Sequence, residues 1–238
     1  MAHYKKIPTT VHDLYEYHLN PPPGMEYMSS DIHEHLPVLL DYASQMDVRN
    51  IVEMGTRWVV STIPLILGCP QQIFSIDLTH PNEGQWADRA EGKLDTLGAH
   101  CVREDIDFRF IEADSREIEI NDCTDLLFID TLHDYAQLKI ELEKHSGNVQ
   151  KWILLHDTET FKNKDESTGK GKGLWPAIEE FLKDHPEWVL HCHYFNNNGL
   201  TVLKRKEYMH WKLPEFTPAP TKFDDPVQIP ADRINPNI

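Results

Sequence analysis

Positive charge is scarce in this sequence of 238 residues. Lys and Arg number 23 against 39 Asp and Glu, which gives a formal net charge of -16 at pH 7. Nucleic-acid backbones and anionic membranes attract basic surfaces, and the lysine-rich stretch 162–172 is interrupted by acids and glycines. We therefore expect neither a nucleic acid nor a membrane as a partner.

Long apolar runs and paired cysteines are also missing. No apolar segment approaches the roughly 20 residues that a transmembrane helix needs, and the first residues lack the apolar core of a signal peptide. The 4 cysteines are scattered without a Cys-x-x-Cys pair, which is typical of reduced thiols rather than of disulfides or a zinc site. These absences together predict a cytoplasmic protein.

A glycine-rich dinucleotide motif is the third absence. Gly55 follows an apolar segment, but Thr, Arg, Trp, Val, Val and Ser come next. The pattern Gly-x-Gly-x-x-Gly of nicotinamide-binding proteins is therefore not present. This disfavours a nicotinamide-dependent oxidoreductase, which stays an alternative interpretation of the chain.

From Asn50 onward the sequence alternates short apolar strands with segments of helix length. Five strands are predicted, at residues 50–54, 73–77, 108–114, 126–130 and 152–156. Three helices are predicted between them, at 59–67, at 86–97 with its end near Gly98, and at 135–142. Such alternation is typical of an α/β fold with a doubly wound parallel sheet.

The last part of the chain breaks this alternation. Residues 188–194 and 200–204 indicate two strands, and the short connection Phe195-Asn-Asn-Asn-Gly199 between them favours an antiparallel hairpin. A polar, glycine-rich loop at 162–173 precedes a helix that has Pro176 in its first turn.

Two helices are expected before the alternating part. Residues 11–19 form the first, and Ser30 or Asp31 is expected to cap the second with Glu34 as the reciprocal partner. Pro37 should kink or restart that helix. The predicted organisation has three parts: an N-terminal helical segment that packs on the core (1–47), a ligand-binding domain (48–205) and a proline-rich extended tail (206–238).

Acidic residues close successive strands. Asp77, Asp114 and Asp130 each end a strand, and Asp157 follows the next one. The carboxyl ends of parallel strands meet at one edge of a sheet, where open α/β sheets bind ligands. If the strands before Asp130 and Asp157 are neighbours, they lie about 4.8 Å apart, so both carboxylates are within reach of one cation.

The turn after the first strand predicts the other half of this site. Gly55 lets the backbone approach a ligand closely, and the amides and hydroxyls of Thr56 and Ser61 can bind a carboxylate or phosphate. Asp77 is placed for a ribose diol and Asp114 for an adenine amine. Any one of these acids is as often a helix cap or a solvated turn, so their ordered recurrence is what indicates an adenosine-type ligand.

These motifs together resemble a known family. They are Glu53-x-Gly55-Thr56, Ser61, Asp77, Asp114, Asp130-x-x-His133-x-Tyr135 and His156-Asp157-Thr158. The set is similar to class I S-adenosylmethionine-dependent methyltransferases, and more narrowly to methyltransferase family 24 with its cephalosporin-hydroxylase-like and macrolide-sugar O-methyltransferase relatives. The resemblance implies a Rossmann-like, mostly parallel seven-stranded sheet in the order 3-2-1-4-5-7-6.

The resemblance also implies roles for individual residues. The expected cofactor-binding residues are Glu53, Gly55, Thr56, Arg57, Ser61, Asp77, Asp114, Ser115 and Asp130. Asp130 and Asp157 would hold a divalent cation, Mg²⁺ or Mn²⁺, with His156 as a candidate third ligand. Relatives carry a glycine near Val59 and a third carboxylate beside the second metal acid, so this loop is expected to be less open and this metal shell poorer in charge.

We therefore expect an S-adenosylmethionine-dependent, divalent-metal-dependent O-methyltransferase that acts on a small hydroxylated acceptor, such as a sugar or a secondary metabolite. His133 is the candidate general base, because an unperturbed imidazole has a pKa near 6.5, and Asp130 shares the catalytic role. The alternatives are a structural imidazole at His133, a strand-end histidine bonded to backbone at His156, and a non-catalytic S-adenosylmethionine- or nucleotide-binding domain. The N-terminal helices and the tail are candidate contacts of a homodimer.

Overall fold

The computed structural model describes residues 8–21, 31–83, 87–120 and 122–206. All of the described residues belong to one compact unit. Ser30, Trp86 and the predicted tail from residue 207 onward lie outside the described residues, so the three-part division stays a prediction. Within the described ranges, no helix is long and apolar enough to cross a bilayer.

Seven strands form one sheet in the order β3-β2-β1-β4-β5-β7-β6. The strands are Asn50–Met54 (β1), Gln72–Asp77 (β2), Asp107–Glu112 (β3), Thr124–Ile129 (β4), Val149–His156 (β5), Trp188–Tyr194 (β6) and Leu200–Arg205 (β7). Strands β1 to β5 pair in parallel, whereas β7 runs antiparallel to both β5 and β6. The predicted sheet order and the terminal hairpin are confirmed.

Helices cover both faces of this sheet. They are Val11–Leu19 (α1), Leu36–Ala43 (α2), Thr62–Leu67 (α3), Ala87–Ala90 (α4), Lys93–Glu104 (α5), Tyr135–His145 (α6) and Leu174–Asp184 (α7). One apolar cluster joins α1, α2, α3 and α5 to one face of the sheet. A second cluster joins α6 and α7 to the other face, so the predicted doubly wound architecture is confirmed.

Strands β4 and β5 lie side by side in the middle of the sheet. All eight residues of β5 are buried, and the apolar run at residues 152–155 is typical of a parallel strand covered on both faces. Ile129 pairs with Leu155 in the parallel register. Asp130 and Asp157 therefore emerge at the same edge, as the sequence predicts.

The N-terminal segment follows its predicted helices with one correction. Helix α1 spans the predicted residues, and Pro37 lies in the first turn of α2, so it restarts the helix. Glu34 does not form a capping box. Its amide donates to Asn197 Oδ1 (2.9 Å), and its carboxylate accepts from Asn196 Nδ2 (2.5 Å), which ties the segment to the β6–β7 connection.

Three predicted helix boundaries are wrong. The helix predicted at 135–142 continues to His145. Helix α3 begins at Thr62 rather than Val59, because Arg57 and Val59 have φ angles of 42° and 65°, outside the helical region. The helix predicted to end near Gly98 continues to Glu104. Gly92, with φ 71°, makes the break between α4 and α5 instead, because a left-handed residue interrupts a helix whereas an interior glycine only weakens it.

Candidate functional site

Strand β1 ends in direct contact with the end of β4, at Gly55. This residue has φ +90°, and a Cβ atom there would lie 2.0 Å from the carbonyl oxygen of Asp130. The Asp130 amide in turn donates to the Met54 carbonyl (2.8 Å). Only glycine accommodates both this backbone conformation and this approach. Gly55 therefore brings the loop 55–61 against the acid that ends β4.

Asp77 holds the backbone of this loop from the end of β2. Its Oδ2 accepts hydrogen bonds from the amides of Thr56 (2.9 Å) and Arg57 (2.8 Å). Val59 is fully buried with φ 65°. A left-handed conformation costs a non-glycine residue roughly 1–2 kcal/mol. The loop thus has the backbone turn that glycine would favour, although valine stands there.

Glu53 and Ser61 are buried beneath the loop. Glu53 is completely buried and accepts hydrogen bonds from the hydroxyls of Ser61 (2.5 Å), Thr62 (2.7 Å) and Ser75 (2.5 Å). Burial raises the pKa of Glu53 to about 7, although these three hydroxyls oppose the shift. Thr56 is also buried. These side chains support the loop from within the protein, and their expected part in cofactor binding stays a prediction.

A cavity of about 390 Å³ opens beside this loop at the carboxyl ends of β1, β2, β3 and β4. Its size falls within the roughly 300–1,000 Å³ of small-molecule sites. Six expected site residues for the cofactor line it: Gly55, Arg57, Asp77, Asp114, Ser115 and Asp130. Its wall also includes polar residues that no sequence motif marked: Arg116, Thr131, Gln137 and Glu166.

The Asp114 carboxylate in the cavity wall is hydrogen-bonded to Arg116. Its two carboxylate oxygens accept hydrogen bonds from the Arg116 guanidinium, at 2.9 Å for Nε and 2.5 Å for Nη2, and Oδ1 also accepts from the Arg116 amide. These bonds lower the pKa of Asp114 to about 2. Both oxygens are thus engaged before any ligand arrives.

A compact group of possible metal ligands lies next to the cavity, at the ends of β4 and β5. Asp130, His156 and Asp157 each offer one ligand atom, and these atoms lie within 4.8 Å of one another. Asp157 has φ 59°, a left-handed conformation that aspartate adopts more readily than most residues. The structure thus brings together the three residues expected to bind a cation.

Two buried atoms of this group lack a hydrogen bond. His156 Nδ1 lies 3.5 Å from Asp130 Oδ1 and 3.4 Å from Asp157 Oδ1. Neither His156 Nδ1 nor Asp157 Oδ1 makes a hydrogen bond within the described residues. Buried polar atoms rarely remain unpaired without a reason. Two carboxylates and an imidazole with open ligand atoms fit a divalent cation such as Mn²⁺.

His133 bridges this group and the loop 162–173. Its Nε2 lies 2.9 Å from Asp157 Oδ2 and 3.2 Å from Asp130 Oδ1, and its Nδ1 lies 2.8 Å from Glu166 Oε2. Its ring stacks on Phe161 with centroids 4.7 Å apart. Although burial lowers it, the hydrogen bonds to Asp130 and Asp157 raise the pKa of His133 to about 11. The surrounding carboxylates thus favour the protonated imidazole, whereas the sequence suggested an ordinary pKa.

The N-terminal segment supplies two further groups that sequence reasoning missed. His35 is fully buried, and its Nδ1 lies 3.2 Å from His156 Nε2, so His156 does not bond to backbone through that nitrogen. Asp31 pairs with Arg57 (3.3 Å). Burial, followed by the charge of Asp130, raises the pKa of Asp31. A third carboxylate therefore lies within electrostatic reach of the cluster, although it comes from a distant part of the chain.

The chain has the fold of class I methyltransferases. No protein-family model matches it, and no curated protein sequence does. Among solved structures, it is similar to a protein described as a caffeoyl-CoA O-methyltransferase from Staphylococcus aureus, with 15% identity and a TM-score of 0.56 over 82% of this chain and 98% of that one.

Two further solved structures contain S-adenosylhomocysteine. The Podospora anserina methyltransferase PaMTH1 is 16% identical, with a TM-score of 0.53 over 84% of this chain and 89% of that one. An O-methyltransferase from Bacillus cereus is 18% identical, with a TM-score of 0.51 over 83% of this chain and 98% of that one. At these identities the likeness shows the fold.

Proposed function

We propose that this protein is an S-adenosylmethionine-dependent O-methyltransferase that uses a divalent cation. The observation that carries the proposal is the position of Asp130, which belongs both to the cavity wall and to the cation cluster. A methyl donor in the cavity and an acceptor oxygen at the cluster would meet beside this residue. The likeness in fold to methyltransferases solved with S-adenosylhomocysteine supports the identity of the donor.

The cavity residues suit the parts of this cofactor. Arg57 offers a cation beside the glycine loop, where the methionine carboxylate would lie. Asp77 Oδ2 accepts hydrogen bonds from the loop amides. Among the described residues, Thr79 alone donates to its Oδ1, through a long bond from the amide (3.4 Å). That oxygen can take a ribose hydroxyl. Ser115 and its neighbours just after β3 would lie beside the adenine.

Asp130, His156 and Asp157 would hold the cation, with Mn²⁺ or Mg²⁺ as the candidates. A divalent ion bound there lowers the pKa of a coordinated hydroxyl and orients it. An imidazole among the ligands favours Mn²⁺ over Mg²⁺, because Mg²⁺ prefers oxygen ligands only. The charge of Asp31 would add to the attraction without a direct bond.

His133 is the proposed proton acceptor, on one condition. Its pKa is high because Asp130 and Asp157 hold the proton on Nε2. When these carboxylates share their charge with a bound cation, that interaction weakens and the imidazole can be neutral at physiological pH. Glu166 on Nδ1 and Phe161 on the ring face would hold the imidazole in place while Nε2 receives the proton of the acceptor hydroxyl.

A small acceptor with hydroxyl groups suits these surroundings. The carboxylates of Asp31 and Glu166 lie near the cluster, on Arg57 and His133 respectively, and they can accept hydrogen bonds from further hydroxyls of a sugar or a polar secondary metabolite. The test is transfer of labelled methyl from S-adenosylmethionine to a panel of sugars and phenols, with Mg²⁺ or Mn²⁺ present. We expect transfer that EDTA abolishes. Binding of NADH without binding of S-adenosylmethionine would contradict the proposal.

A further inference from the structure

A buried carboxylate on α6 organises the floor of the cavity. Glu141 is fully buried, and its Oε1 accepts hydrogen bonds from the Ser115 hydroxyl (2.6 Å), the Gln137 amide nitrogen (2.7 Å) and the Thr131 hydroxyl (2.8 Å). Ser115, Thr131 and Gln137 all line the cavity. One acid therefore positions three polar side chains that face the same ligand site.

This network fixes which end of the Gln137 amide faces the cavity. Its Nε2 has two hydrogens, and they are donated to Glu141 Oε1 and to Ser115 Oγ (3.1 Å). In the reverse orientation, Gln137 Oε1 would lie against an oxygen that can only accept. The Ser115 hydroxyl could not relieve this clash, because its hydrogen already points to Glu141. The carboxylate thus holds the amide nitrogen inward.

The carbonyl of Gln137 is left for a ligand. Gln137 Oε1 accepts no hydrogen bond from any described residue, and the side chain borders the cavity. A carbonyl oxygen is an acceptor only, so a ligand group opposite it has to donate. Asp114 also lines the cavity, and both of its carboxylate oxygens already accept hydrogen bonds from Arg116.

We propose that Gln137, oriented by Glu141, selects a ligand whose purine carries an amine rather than a carbonyl at position 6. This inference rests on the proposed function, because the purine would be that of the S-adenosyl cofactor. Gln137 Oε1 accepts from the 6-amine of adenine, whereas the 6-carbonyl of hypoxanthine would meet it as a second acceptor. Glu141 is the positioning residue and Gln137 the one that determines specificity.

The test compares S-adenosylhomocysteine with its deaminated analogue, S-inosylhomocysteine, by calorimetric titration. The wild-type protein should bind the amine form about tenfold or more tightly, because an unmatched buried polar group is costly. Gln137→Leu should weaken the amine form and bring the ratio of the two affinities close to one. Glu141→Gln should also bring the ratio of the two affinities closer to one. The introduced amide can donate to the Gln137 carbonyl and turn it away from the ligand.

Glu143→Gln is the matched control for Glu141→Gln. It makes the same change on the same helix at an exposed position, where the carboxylate contacts His185 (3.4 Å), and it should leave the ratio unchanged. Equal affinity of the wild-type protein for the two ligands would overturn the inference while leaving the proposed function intact. The inference would also be overturned if Gln137→Leu kept the wild-type preference for the amine form. Loss of that preference in Asp114→Asn would overturn it as well, because Asp114 would then be the acceptor. If the wild-type protein binds neither ligand, the proposed function fails, and the inference fails with it.

Discussion

Replacement of Gly55 by alanine tests how closely the glycine loop must approach Asp130. The added Cβ would lie 2.0 Å from the Asp130 carbonyl oxygen and 2.5 Å from its carbonyl carbon. Such contacts are not found below 3.0 Å, so the loop and the end of β4 must separate by about 1 Å. Both residues line the cavity, so the separation changes the shape of the site as well as the stability of the fold.

The expected loss of stability has two parts. A left-handed alanine costs roughly 1–2 kcal/mol, and forcing a methyl group into packed surroundings costs a further 1–3 kcal/mol or so. Gly92→Ala isolates the first part, because Gly92 also has a positive φ (71°) but a Cβ there meets nothing within 4 Å. Gly55→Ala should therefore destabilise the protein by about 1–3 kcal/mol more than Gly92→Ala.

Urea unfolding measures the two stabilities, and calorimetric titration of S-adenosylhomocysteine measures the effect on the cavity. Gly92→Ala should bind this ligand as the wild-type protein does. Gly55→Ala should bind it at least about tenfold more weakly, since a displacement near 1 Å in a site can cost factors of this size. Equal losses of stability in the two variants, or an unchanged ligand affinity in Gly55→Ala, would show that the close approach of Gly55 to Asp130 does not shape the site.

Three further predictions concern the surroundings of the site. Burial raises the pKa of Glu53 from 4.5 to about 7. The contribution of Glu53 to the free energy of unfolding is therefore fully present below pH 4.5 and is lost as the pH rises through 7. Urea unfolding should show the wild-type protein losing on the order of 3 kcal/mol relative to Glu53→Gln between pH 4.5 and 8; parallel curves would contradict this. Phe161→Ala should lower turnover about tenfold or more with unchanged affinity for S-adenosylhomocysteine, because Phe161 stacks on His133 outside the cavity; a lost affinity with intact turnover would oppose it. Asp31→Asn should weaken Mn²⁺ binding severalfold by titration, whereas the exposed Asp41→Asn should not; equal effects would exclude a local role for Asp31.

The sheet and the acids at its edge could be predicted because both follow from local patterns. Buried parallel strands are short apolar runs, and β4 and β5 show this clearly. Each run stops where the chain leaves the sheet, so Asp77, Asp130 and Asp157 mark strand ends in the sequence itself. The hairpin was also predictable from a local pattern. Asparagine and glycine favour positive φ angles, and Asn197, Asn198 and Gly199 all adopt them in the turn.

Groups that act through distant contacts could not be predicted in this way. Asp31 and His35 reach the cluster from more than 90 residues away in the chain, and their local pattern indicates only a helix start. Gln137 and Glu141 are one helical turn apart, a spacing that also fits an exposed helix face. Glu53 has the same ambiguity, because only the three hydroxyls around it show that a strand-end acid is buried.

The raised pKa of His133 illustrates the same limit. The spacing of Asp130 and His133 places the imidazole beyond the strand end, but its charge state depends on how many carboxylates surround it. Three of them do so in the structure: Asp130, Asp157 and Glu166. Two lie in other parts of the chain, so the sequence alone suggested an ordinary pKa.

Binding of Mn²⁺ to the purified protein decides whether the edge of the sheet holds a cation. Electron paramagnetic resonance should show one Mn²⁺ per chain in the wild-type protein and in Asp122→Asn, which removes an exposed charge at the opposite end of β4. Asp157→Asn should abolish this binding while preserving the fold, because asparagine also tolerates the left-handed conformation of that position. Absence of bound Mn²⁺ in the wild-type protein, or undiminished binding in Asp157→Asn, would contradict a cation site at the edge of the sheet.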